Sequence, residues 1–183
     1  MENSAKIRSS ATFVARTAMF IAMLVAVQFI TRALGQIVTG SCVNFVLAVC
    51  ALTCGVWSAS IVAVISPFCA FLLGIGTPII RLVPFIGLGN FVYVFLICLL
   101  EGRIKLGRAS RAAVILIAAV AKFATLFVSI TKIILPLMAL PEAKTAVLSA
   151  SFTWPQLITA LIGGALAVIV YGRFPRSGVK DGE

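Results

Sequence analysis

The sequence predicts an all-α membrane protein of six transmembrane helices, and three observations lead there. Of its 183 residues, 62% are hydrophobic and only 11% charged, whereas soluble domains carry charge on roughly a quarter of their residues. No Asp, Glu, Lys or Arg occurs between residues 33 and 80. A spanning helix takes roughly 20 apolar residues, so that run alone holds two spans and a turn. The basic residues fall between apolar runs and at the chain ends, where the positive-inside rule puts them.

Taken in order, the spans are expected at about 11–32, 42–54, 57–73, 85–100, 112–136 and 152–171, within one domain covering 1–183. The first has too long an apolar run and no clear small-x-small site for a cleaved signal peptide, so it is expected to remain. Its Ala11, Ala15, Ala18, Ala22 and Ala26 share one helix face about 80° wide, at 100° per residue. Phe13, Phe20, Met23, Leu24 and Val27 fall on the opposite side. A smooth face either packs inside the same chain or receives a separate membrane helix, because small residues let backbones approach closely in lipid. The segment 33–41, with two glycines and several small polar residues, reads as a loop or a short re-entrant piece. Gly55 to Ser58 gives a tight turn between spans two and three, and 74–84 is a Gly/Pro-rich connection. Residues 101–111 form a loop with four basic residues; Pro141 to Lys144 marks the last loop, and a basic tail follows Gly172.

Six spans put both termini on one side. That side collects ten basic residues, from Lys6, Arg8 and Arg16 through the 101–111 loop to Arg173, Arg176 and Lys180. The other side collects Arg32, Arg81, Lys132 and Lys144. Both termini are therefore expected in the cytoplasm. The same distribution makes the net charge of +10 a matter of topology, and no nucleic-acid partner is expected.

Enzymatic chemistry is not expected. The chain has no histidine, and Glu101 is the one carboxylate near a span, at a cytoplasmic end, so no general base presents itself. The five cysteines (Cys42, Cys50, Cys54, Cys69, Cys98) contain no Cys-x-x-Cys; they read as small core residues, with no metal or cofactor site. Gly35 to Ser41 has the glycine spacing of a phosphate loop but lacks its lysine and follows no strand.

The informative polar residues are basic. Lys122, Thr125, Ser129 and Lys132 form a stripe about 80° wide and about 15 Å long on span five. A lysine at mid-membrane costs roughly 2.5–3.5 kcal/mol on insertion scales, so Lys122 is expected to face a cavity or a partner. Lys132 could equally snorkel to the surface. Arg32 and Arg81 flank the same outer side, either as interfacial anchors or as part of a cationic pocket suited to carboxylate or phosphate. Asn44 and Asn90 offer neutral hydrogen bonds, to a ligand or between helices. Tyr93 and Trp154 read as a ring-stacking wall or as interfacial aromatics.

With these residues in view, the chain resembles the substrate-binding S component of an energy-coupling factor (ECF) vitamin transporter. The likeness rests on Ala18-x-x-x-Ala22-x-x-x-Ala26 in the first span, six spans in under 200 residues, cytoplasmic termini, and Gly/Pro-rich outer loops after spans one and three. Ser66-Pro67-Phe, Gly74-Ile-Gly-Thr-Pro78 and Pro84-Phe-Ile-Gly-Leu-Gly-Asn90 are also similar to that family. The resemblance implies a multi-pass protein of a prokaryotic plasma membrane that captures a vitamin beneath lids at 33–41, 74–84 and 137–151. It implies docking through Ala15, Ala18, Ala22 and Ala26 onto a transmembrane scaffold subunit joined to two ATPase subunits, then delivery inwards by toppling. Substrate binding would fall to Arg32, Asn44, Arg81, Asn90, Lys122, Ser129, Lys132 and Trp154. The excess of outer positive charge favours an anion, pantothenate or a folate first, ahead of pyridoxine-type, riboflavin, queuosine-like and cobalamin substrates. Two other readings compete: a structural or assembly subunit whose basic stripe holds anionic membrane lipid, and a self-contained carrier. The carrier reading lacks an inverted repeat and a membrane carboxylate for ion coupling.

Overall fold

The computed structural model describes residues 2–103 and 108–173, with side chains from 9–101 and 110–173. The basic residues Lys6, Arg8, Arg103, Lys105, Arg108, Arg176 and Lys180, counted above for topology, lie outside the described side chains. Among the described residues all regular structure is helical, without strands. Its elements are α1 (Glu2–Thr31), a 3-10 turn (Arg32–Leu34), α2 (Gln36–Leu72), a second 3-10 turn (Ile80–Leu82), α3 (Val83–Arg103), and α4 (Arg108–Leu126). A π-helical segment (Phe127–Ile134), α5 (Leu135–Leu137), α6 (Glu142–Ser151) and α7 (Trp154–Tyr171) complete it. Among the described residues five helices are long and apolar enough to cross a membrane.

The six expected segments become five here because 42–54 and 57–73 are joined into α2. Its one non-helical residue is Gly55, at φ 79° and ψ −178°, a conformation open in practice to glycine alone. The chain doubles back there. Asn44 and Ser66 line the same cavity, although a straight helix would hold them about 33 Å apart. The expected turn is thus a single residue wide.

The expected loop 33–41 is also shorter than its composition suggested. Gly35, at φ 83°, makes the turn; Thr39 then donates its amide to the Gly35 carbonyl and its hydroxyl to the Thr31 carbonyl. Helix resumes at Gln36, so Gly40 is helical, and a Cβ there would press on the Thr159 side chain. Gly40 serves close approach rather than flexibility. The expected last loop likewise contains a helix, α6, which begins behind Pro141 with Glu142 in its first turn, where the helix dipole favours negative charge. Trp154 and Pro155 then open α7, Pro losing no hydrogen bond at that position.

The main core is built from small and branched residues: Leu24, Leu47, Ala48, Ala51, Ala59, Val62, Ile97, Ala118, Ala119, Ala160 and Ala167 are almost fully buried. In lipid, close backbone contact of this kind substitutes for the hydrophobic drive of water. Gly163 extends the same logic: a Cβ there would strike the backbone of Ser41 and Phe45. A second, smaller cluster of Leu82, Leu126, Ile130, Leu135 and Phe152 lies around the π segment and α6. At the other end Arg111 Nε donates to Glu101 Oε1 at 2.7 Å, and its guanidinium sits 5.0 Å over the Tyr171 ring.

α1 is the least buried of the membrane-length helices. Thr17, Phe20, Leu24 and Gln28 turn inward, and the Thr17 hydroxyl donates to the Ser58 hydroxyl at 2.9 Å. Ala11, Ala15, Ala18, Ala22 and Ala26 are all exposed, so this smooth face is not consumed by packing within the chain.

Candidate functional site

Lys122 is the residue around which the interior is arranged. It sits on α4, 3% exposed. Its Nζ donates to Asn44 Oδ1 on α2 at 2.6 Å and to Asn90 Oδ1 on α3 at 2.7 Å. The Tyr93 ring lies 5.4 Å beneath it, inside the range of a cation–π contact. Hydrogen bonds to a charged group are worth about 1.5–3 kcal/mol each, so two of them offset the roughly 2.5–3.5 kcal/mol cost of placing lysine at mid-membrane.

The two amides are themselves held. Asn44 Nδ2 donates to Thr159 Oγ1 on α7 at 3.2 Å, and Asn90 Nδ2 donates to the Ala63 carbonyl at 3.5 Å. Tyr93 donates its hydroxyl to the Ala160 carbonyl at 2.9 Å. Both arms of α2, together with α3, α4 and α7, therefore converge on one ammonium group. What they do not supply is a counter-charge. The described carboxylates of the interior loops are Glu101 and Glu142; the first is paired with Arg111, and neither lines the chamber beside Lys122.

That chamber has a volume of about 150 Å³ and includes Lys122, Asn44, Asn90, Gln28 and Ser66 in its lining. A larger chamber of about 590 Å³ lies over it. The two share Thr39, Gly40, Ile86, Gln156 and the turn Ile75 to Thr77, so they form one continuous hollow. Its size falls in the range of small-molecule sites. Positive φ at Gly74 (67°) and Gly76 (85°) folds the 73–79 strap across the shared neck, and Ile75, 7% exposed, is pressed inside. Arg32 lines the outer chamber, its guanidinium 4.4 Å over the Phe29 ring.

Of the residues expected to bind substrate, Lys122, Asn44 and Asn90 come together at the floor and Arg32 stands at the wider end. The other four line neither chamber. Arg81 is exposed on its 3-10 turn. Ser129 returns its hydroxyl to the Thr125 carbonyl. Lys132 is exposed, its Nζ 5.3 Å over the Phe127 ring. Trp154 is 61% exposed. Thr125, on the same stripe and still within α4, lines neither chamber either; from Phe127 the backbone closes i to i+5 bonds, which alters the phase of every following side chain. Pro136, which cannot donate a helix bond and crowds the preceding turn, follows immediately.

Gln28, Ser66, Gln156 and Thr159 were missed from the sequence. Gln28 carried a usable signal, since Phe20, Leu24 and Gln28 recur every fourth residue on the face opposite the alanines. Ser66 stood in a run similar to the family, but its place in the chamber is set by the reversal at Gly55; Gln156 had no signal, being set by the approach of α7 to α2.

A bundle of membrane-length helices encloses a largely apolar hollow with Lys122, Asn44 and Asn90 at its floor, an arrangement suited to holding a small molecule. The model of the family described as "ECF transporter, substrate-specific component" matches residues 14–172, and the chain belongs to that family. No curated protein and no solved structure matches it at a significant level. The chain is accordingly the substrate-specific subunit of an ECF transporter, a multi-pass protein of a prokaryotic plasma membrane. It is a transport subunit and not an enzyme; it associates with an ECF module whose separate subunits hydrolyse ATP.

Proposed function

We propose that this subunit captures a small anionic vitamin or precursor from outside the cell, in the hollow above Lys122. The reading rests on one observation: a lysine 3% exposed, held by two amide oxygens, with no carboxylate among the described residues that line its chamber. The two amides hold the ammonium without neutralising it, and an anionic ligand would supply the counter-charge. A carboxylate or phosphate at the exposed Arg32 would gain far less, because exposed ion pairs contribute about 0–1 kcal/mol. Lys122 is therefore the discriminating group and Arg32 an accessory one. Pantothenate and folates lead the candidates on charge.

With both termini in the cytoplasm, the hollow opens to the exterior through the lids formed by the turn at 32–35, the strap at 73–79 and α6. The exposed face of Ala15, Ala18, Ala22 and Ala26 is the surface offered to the scaffold subunit. Native mass spectrometry of the purified chain tests the capture role. One anionic metabolite per chain is expected, and its loss in Lys122→Met; phospholipid alone in both proteins would favour a lipid-binding structural subunit and defeat the proposal.

A further inference from the structure

Two polar groups of the inner chamber have no place in a site that reads charge alone. Gln28 is 6% exposed and Ser66 2% exposed; Gln28 Oε1 and Ser66 Oγ are both buried without a hydrogen-bond partner. Both residues line the chamber that Lys122 closes. A ligand that fills this hollow and leaves either atom without a hydrogen bond forfeits about 1–3 kcal/mol.

The two orphans ask for different things. A serine hydroxyl can donate, so Ser66 can join Lys122 in holding an anion. The carbonyl oxygen of Gln28 accepts only, so no carboxylate or phosphate oxygen satisfies it. It requires an N–H or O–H. The chamber is about 150 Å³, a space only a few bond lengths across, so the donor and the anion must belong to the same end of one molecule. Its remaining walls include Val43, Pro67, Ala70, Val83 and Ile86, which suit a short aliphatic skeleton and provide no second acceptor of charge.

From this we infer that the deep chamber takes a carboxylate bearing an N–H or O–H donor within a few bonds, the acid bound by Lys122 and Ser66 and the donor read by Gln28. The rest of such a ligand extends into the outer chamber. The inference rests on the anion-capture reading and narrows it from charge to a donor-flanked acid. A simple alkyl or keto acid would leave Gln28 Oε1 empty, and sites built around a hydrogen bond reject the analogue that lacks it.

A matched pair of probes tests it on the full chain in lipid nanodiscs, by calorimetric titration. N-acetylglycinate and levulinate have the same charge and nearly the same skeleton, with N–H in the first where the second has CH2. The wild-type protein should bind N-acetylglycinate at least about tenfold more tightly, the worth of one well-made hydrogen bond. Gln28→Met should bring the ratio of the two affinities close to one, and Lys122→Met should weaken both probes together. Equal wild-type affinities would overturn the inference while the anion reading stands, and this comparison needs no variant to fold. Gln28→Met weakening both probes equally would also overturn it. Saturable binding of neither probe would defeat the anion reading for carboxylates, and the inference with it.

Discussion

The floor of the hollow and the outer face of α1 are built from opposite materials. At the floor, Lys122, Asn44, Asn90, Tyr93 and Thr159 come from four helices and are nearly all buried, each fixed by at least one hydrogen bond or ring contact. On α1, Ala11, Ala15, Ala18, Ala22 and Ala26 are exposed methyl groups with nothing polar to bond. The inward face of the same helix contributes Gln28 to the chamber. One region holds its geometry through directional bonds and so can select a ligand. The other has only shape, and shape is what close helix association in lipid uses. If the smooth face docks the scaffold subunit as proposed, recognition and coupling are separable even though α1 borders both.

The largest expected effect is on the smooth face. Ala22→Trp would set a bulky ring in the middle of the exposed alanines, away from Phe20 and Leu24 on the buried side. Uptake by cells carrying the complete transporter should be abolished, while the isolated subunit should bind its ligand within about twofold of wild type, since surface changes rarely exceed 0.5 kcal/mol. Ligand binding and uptake measured on the same variant decide it. Equal loss of both would mean that the face supports the fold rather than the partner.

A smaller effect is expected behind the floor of the hollow. Gly163 lets α7 approach α2 closely, and that approach brings Thr159 to Asn44. Gly163→Val would push the branched side chain into the Ser41 and Phe45 backbone; overpacking costs about 1–3 kcal/mol. The melting temperature of the purified subunit should fall by several degrees, with weaker ligand binding, because the displaced helix carries Gln156 into the chamber lining. An unchanged melting temperature would show that α7 has room to spare there.

How much of this was legible in the sequence follows from the range of each signal. The two faces of α1 were readable because periodicity on one helix is local. Lys122 was readable because its cost in lipid does not depend on who its neighbours are. Its partners were harder, lying 78 and 32 residues away; Asn44 and Asn90 could be proposed as polar groups but not joined to it. Gly40 was read as a loop glycine because composition does not separate a residue that needs freedom from one that makes room for Thr159. The composition of α6, mixed polar and small, masked a helix placed by Pro141 and Glu142. The stripe from Lys122 was extrapolated at 100° per residue, which tells nothing of what faces Thr125 and does not hold through the segment after Leu126.

That last error gives the finest test, and the smallest expected effect. Lys122 and Lys132 lie on one continuous membrane-length helix, Ser110–Leu137, and carry the same charge. One is enclosed by two asparagines and the other is exposed over Phe127. If long-range charge attracted the ligand, replacing either lysine would weaken binding alike. If the hollow reads charge only by contact, Lys132→Met should change affinity by less than about twofold in physiological salt, where exposed charges are screened beyond about 8 Å. Lys122→Met should lower it by about ten- to a hundredfold, the worth of a hydrogen bond to a charged group. Titrating both variants with the metabolite that copurifies with the wild-type subunit separates the two cases. A Lys132→Met loss as large as that of Lys122→Met would return the outer lysine to the binding site and require the π segment to turn in the bound state.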